Sequence, residues 1–233
     1  MTTNRIESVK TRAAALAMVL APILLIVNEL LTPVNHESDS AAEQLASVAR
    51  EPGRYGLLIL GMLAGMVLMI PATLTLIRHV RERGAWWGLI GGYAVILGLV
   101  MFCVSIGAMA LTLTVFADLP AAQWVAMEPG VEAINDGKGV LWVSLFGLFF
   151  GLTLGSVVLA VGLWRSMAVP RWVAVAFPLG WWLFLLGPNQ AVRALGPTVL
   201  LVVLGLVAWQ SLRRDAPVAG RQLGSLDVER ASS

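Results

Sequence analysis

Six long apolar runs occupy most of the 233 residues: Thr11–Leu31, Tyr55–Ile77, Trp86–Phe116, Val140–Trp164, Trp172–Leu186 and Ala194–Leu212. A helix needs about 20 predominantly apolar residues to cross the hydrocarbon core of a bilayer. Inside lipid every backbone N–H and C=O must bond internally, which leaves only helices and closed barrels. The extended apolar/polar alternation of a barrel strand is absent, so the chain is expected to be all-α, a polytopic membrane bundle of six transmembrane helices. Hydrophobic residues make up 58% and charged residues 13%, against roughly half and one quarter in a soluble domain. Little chain is left for a soluble domain. The expected organisation is one membrane domain over 1–214 and a polar, disordered cytoplasmic tail over 215–233.

Basic residues fall on alternate sides of this arrangement. Arg5, Lys10 and Arg12 lie before or at the very start of the first run, Arg78, Arg81 and Arg83 follow the second, Arg165 and Arg171 follow the fourth, and Arg213, Arg214, Arg221 and Arg230 follow the sixth. These twelve face Arg50, Arg54, Lys138 and Arg193 on the other side. Cytoplasmic connections carry the excess of Lys and Arg, so both termini are expected in the cytoplasm of a cell bounded by this plasma membrane. Trp86, Trp87, Trp164, Trp172 and Trp209 fall near the same inner boundary, where the amphipathic indole is favoured. The net charge of +2 is therefore read as topology signals beside the spans. No recognition helix or aromatic-basic platform accompanies it, and nucleic acid is not an expected partner.

The connections carry structure of their own. Ser40-Ala41-Ala42-Glu43 has capping-box spacing, and Ala42, Leu45, Val48 and Ala49 share one helical face. A short amphipathic helix is expected in the first outer loop, ended by Pro52-Gly53. The third run has 31 residues, roughly 46 Å at about 1.5 Å per residue, against a core of about 30 Å. It must tilt, kink or project, and residues 117–139 are expected to form a partly helical lid beyond it. The fifth run is short and interrupted by Pro178-Leu179-Gly180, a pattern that marks binding sites in some membrane proteins. Glycines recur every four residues at Gly61 and Gly65, at Gly84, Gly88 and Gly92, and at Gly147, Gly151 and Gly155. Small residues at this spacing let helices approach closely, either within one chain or toward a homodimer or other helix partner.

Ionisable groups at membrane depth are costly and informative. Glu29 is the one acid embedded in a run, one turn from its outer end, and Asn28 precedes it. The expected site is an outward-opening pocket with Glu29 as the catalytic candidate and Asn28, Trp181, Trp182, Asn189, Gln190 and Arg193 as substrate-binding candidates. Each has a plainer alternative. Glu29 acts as a proton donor in a partly dry site, or is a helix-end carboxylate that reaches the headgroups or pairs with an arginine. Trp181 and Trp182 line the pocket, or pack in the core or against lipid. Asn189 and Gln190 bind ligand, or form a solvated turn; Arg193 clamps ligand, or meets lipid phosphate. No metal or cofactor is expected. His36 and His79 belong to opposite sides, and HExxH, GxSxG and GxxxxGK[ST] are absent. The single cysteine, Cys103, is read as a packing residue.

Leu31-Thr32-Pro33, Glu43-Gln44-Leu45-Ala46, Pro52-Gly53-Arg54-Tyr55, Pro71-Ala72-Thr73-Leu74-Thr75-Leu76, Leu163-Trp164-Arg165 and Val169-Pro170-Arg171-Trp172 together resemble a broad group of uncharacterised bacterial six-helix integral membrane proteins. That resemblance covers runs one to five, rests mostly on hydrophobic patterning, and implies the fold and no activity. Glu29 with Trp181 and Trp182 gives a looser resemblance to small integral-membrane terpene cyclases. It implies acid-initiated cyclisation of an isoprenoid, with aromatic faces stabilising cations. No motif of that family maps onto a numbered position here, and its members have seven spans.

Three functions follow from these readings. The most specific is a membrane-embedded lyase or isomerase that cyclises an isoprenoid or similar lipid-like substrate. The others are a carrier or binding protein for a small amphiphile, and a non-catalytic accessory membrane subunit. Membrane lipid and a hydrophobic or amphiphilic small molecule are the expected partners.

Overall fold

A computed structural model describes residues 2–32, 41–80, 84–135 and 140–231. Nine α-helices make up almost all of this: α1 (Thr2–Leu31), α2 (Ala41–Arg50), α3 (Pro52–His79), α4 (Ala85–Ala117), α5 (Trp124–Asn135), α6 (Val140–Phe149), α7 (Gly155–Ser166), α8 (Arg171–Leu186) and α9 (Gln190–Ala231). No strand occurs among the described residues. A π-helical turn, Phe150–Leu154, joins α6 to α7 without a break in the rod.

Among the described residues, five stretches are long and apolar enough to cross a membrane: Val9–Leu31, Pro52–His79, Ala85–Ala117, Trp142–Ser166 and Gln190–Arg213. The fifth apolar run of the sequence folds as the shorter α8, 16 residues and so about 24 Å by helical rise. Large apolar side chains such as Leu57, Leu60, Val67, Leu97, Val104 and Leu111 point outward, the pattern of a helical membrane bundle whose solvent is lipid. α9 is helical from Gln190 to Ala231. Once nucleated, a helix satisfies its own backbone and can propagate into polar sequence.

Neighbours in sequence are neighbours in space. α1 packs on α3, α3 on α4, α4 on the α6–α7 rod, α7 on α8 and α8 on α9, and α9 closes the ring against α1. The ring encloses a core of Met18, Leu25, Met66, Met69, Leu99, Leu152, Leu159, Phe177 and Trp181. Both ends of the bundle can be identified from side-chain contacts. At one end, His79 of α3 meets Ser211 of α9 at 3.2 Å, and a methyl group on Gly162 would strike Gly88. At the other, Arg193 of α9 pairs with Glu29 of α1. α8 begins beside α7 at the first end, where Arg171 lies over the Trp164 ring, and leads into α9 at the second.

The glycines explain how closely α4 and the α6–α7 rod approach. A Cβ on Gly98 would lie 2.8 Å from the Leu152 nitrogen, one on Gly151 2.6 Å from the Gly98 Cα, and one on Gly91 2.2 Å from the Leu159 nitrogen. Only hydrogen fits there. Gly84 and Gly155 face the same seam, and Gly147 meets the Met101 side chain of α4 there, whereas Gly88 faces Val80 at the end of α3. The glycine pattern thus serves packing within the chain. Gly61 has open space around it.

The expected amphipathic helix is α2. Leu45 and Val48 are fully buried, beside Tyr55 and Leu113, with Phe116 and Trp124 packed against them. Ser40, the first residue of the expected capping box, lies outside the described residues, as do His36, Arg81, Arg83 and Asp136. α4 has 33 residues, about 50 Å by rise, and its last turns carry α2 and α5. The lid expected over 117–139 is α5 with the 3₁₀ turn Ala121–Gln123 before it. Together α2, α5 and the end of α4 form a cap on the Glu29 end of the ring.

Candidate functional site

Beneath this cap the ring leaves a cavity of about 120 Å³. Its wall comes from four helices: Asn28, Glu29 and Thr32 near the end of α1, Tyr55, Leu58, Ile59 and Met62 of α3, Ile106 and Met109 of α4, and Gln190 and Arg193 at the start of α9. Tyr55 belongs both to this wall and to the buried cluster that seats α2.

The polar side is cross-braced. Glu29 and Arg193 face each other with Oε2 to Nε at 3.5 Å, the side chains 14% and 20% exposed. Withdrawal from water strengthens the pair's Coulomb attraction and raises the cost of separating it. The Gln190 amide donates to the Glu29 backbone carbonyl and, at 3.4 Å, to the Thr32 carbonyl. Those carbonyls lie at the end of α1, where the last four lack helical partners. Asn28 is buried and donates from Nδ2 to the Leu58 carbonyl of α3 at 2.6 Å. Thr32 Oγ1 donates to the Asn28 carbonyl at 2.7 Å. Just outside, Arg54 donates to the Leu31 carbonyl at 3.2 Å and pairs with Glu51 at 2.9 Å. The opposite wall, from Leu58 to Met109, is apolar.

Of the residues proposed from sequence, Asn28, Glu29, Gln190 and Arg193 converge here. The arginine-paired alternative for Glu29 is the geometry found. Asn189 lies one residue outside the cavity and caps α9, its Oδ1 accepting the Val192 N–H at 2.9 Å, the standard service of an asparagine at a helix start. Trp181 and Trp182 are not part of the wall. Trp181 is fully buried in the core, edge-on to Phe184 at 6.1 Å, and its indole N–H meets no acceptor among the described residues. Trp182 is 43% exposed. Its indole points at the Thr153 carbonyl of the π turn, 3.5 Å away, a carbonyl that also accepts the Ser156 hydroxyl at 2.8 Å.

The sequence marked Tyr55 only as an aromatic near the outer boundary, and Leu58, Ile59, Met62, Ile106 and Met109 were not singled out. Those five are apolar residues in apolar runs and carry no mark that separates a cavity wall from a lipid-facing one. Tyr55 reads as an interfacial aromatic until α2 is placed over it. Among the described residues no three His, Cys, Asp or Glu side chains gather as a metal site. Comparison with protein-family models, curated proteins and solved structures finds no match for this chain.

Proposed function

We propose that the protein is a six-span plasma-membrane protein, termini in the cytoplasm, that binds the polar end of a small amphiphile in the capped cavity. The sixth span is α8. It is short, but it starts at one end of the bundle and delivers the chain to α9 at the other. The orientation rests on charge: Arg12, Arg78, Arg165, Arg171 and Arg213 belong to the end opposite Glu29, and the excess of Lys and Arg marks the cytoplasmic side.

The observation that carries the binding reading is the cavity's two-sided lining. A half-buried ion pair with two amide side chains forms one wall, and aliphatic and thioether side chains form the other. Ligand sites are mostly apolar with a few convergent polar groups. The volume argues for a polar end rather than a whole lipid, because sites for drug-sized molecules measure about 300–1,000 Å³. A proton-donating Glu29 acting on an isoprenoid is less well supported, since its carboxylate faces a guanidinium and Trp181 and Trp182 lie elsewhere.

Organic extraction of the purified protein followed by mass spectrometry tests this. The wild type is expected to release a retained amphiphile. Met62→Trp, which fills the cavity from its apolar side, is expected to lose it while unfolding at a similar temperature. Equal retention by both proteins, or release of bulk lipid alone, would refute the reading.

A further inference from the structure

At the opposite end of the bundle, the outer surface between α1 and α9 carries a groove of about 560 Å³. Leu16 and Val19 of α1 form one bank and Gly205, Ala208 and Trp209 of α9 the other. Gly205 has no neighbour within 4 Å of where a Cβ would lie, so the floor is open. Arg12 stands at the mouth. Arg213, one turn beyond Trp209, lies over its ring with the guanidinium carbon 3.7 Å from the centroid. Arg12 and Arg213 are both exposed.

We propose that this groove is a binding site for an anionic phospholipid, with the headgroup phosphate between Arg12 and Arg213 and one acyl chain along the groove. The charge at the mouth complements a phosphate, and the cation–π contact holds one guanidinium beside the ring instead of leaving it free. Depth argues in the same direction. From Arg12 to Val19, and from Leu212 back to Gly205, the groove is seven residues deep, about 10 Å by rise. That is about a third of the hydrocarbon thickness, matching the upper part of an acyl chain beneath its headgroup.

The test uses the full chain, purified in detergent and exposed to phosphatidylglycerol or phosphatidylcholine of the same acyl length, with bound lipid counted by native mass spectrometry. Phosphatidylglycerol is expected to be retained in preference. An Arg near an anionic headgroup contributes about fivefold to binding, so Arg12→Gln with Arg213→Gln is expected to weaken that retention roughly 30-fold. Leu16→Trp, which keeps both charges and blocks the groove, is expected to lose the lipid as well. Inorganic phosphate should not displace it. Thermal unfolding of each variant in detergent separates loss of lipid from loss of fold. Equal retention of the two lipids, an unchanged preference in the double variant, or displacement by inorganic phosphate overturns the proposal. So does a dimer that Leu16→Trp converts to monomer, which would assign the groove to a second copy.

Discussion

Asn28 and Glu29 are adjacent in α1 but serve different neighbours. A helix turns about 100° per residue, so Asn28 reaches the Leu58 carbonyl of α3 while Glu29 reaches Arg193 of α9. The two residues hold three helices at the rim of the cavity. Replacing Glu29 with Gln or Arg193 with Met removes one charge of this pair. Each single change is expected to destabilise the protein by about 1–3 kcal/mol. The double variant should cost less than the two singles together, with a coupling of about 1 kcal/mol. Unfolding in detergent mixtures measures all four proteins; strict additivity would mean that the pair contributes nothing. Asn28→Leu removes an interhelical bond of a kind worth about 0.6 kcal/mol on average in a membrane, and a correspondingly small loss is expected.

At the scale of elements, the tightest constraint is the seam between α4 and the α6–α7 rod. A methyl group at Gly98 or Gly151 would press into backbone atoms, which cannot move aside as a side chain can. Gly98→Ala is therefore expected to cost at least about 2 kcal/mol, near the upper end of the overpacking range. Gly61→Ala, with open space around it, should fall between neutral and about 1 kcal/mol stabilising. Thermal unfolding in detergent compares the two; equal effects would show that the seam can part without penalty. Much of this level was readable in the runs themselves, because length, apolar content and glycine spacing are local properties. The amphipathic α2 was readable too, since its apolar face has a helical period. Other features were not. Trp181 is buried and Trp182 half exposed, yet α8 is apolar on every side, so no periodicity reveals which face turns inward. The π turn leaves no mark in composition. Of the candidate site, the charged and amide residues stood out against their apolar surroundings, while the aliphatic wall did not.

For the whole molecule, the closed ring links topology to function. If α8 crosses the bilayer, Asn189 and Arg165 lie on opposite sides of it. In a Cys103→Ala background, cysteine at Asn189 is expected to react with a membrane-impermeant maleimide in intact cells, and cysteine at Arg165 only after permeabilisation. Labelling of both in intact cells would remove α8 from the count of spans, and the reverse pattern would invert the molecule. The ring also sets the two proposed sites apart. The cavity between Glu29 and Arg193 and the groove between Arg12 and Arg213 lie at opposite ends of the same α1–α9 pair, so changes at one should leave ligand retention at the other unaltered.

The π turn has a genealogical consequence. Its i→i+5 closure houses one more residue than the α-helical i→i+4 closure, so it amounts to a single-codon insertion absorbed without rotating what lies on either side. Excising Phe150, whose ring faces outward, would let Phe149–Leu154 rewind as ordinary helix while Leu148 and Leu159 keep their facing. Such a shortening should yield folded protein, whereas the same excision at Val157 would turn a whole segment of the rod by about 100° and should not.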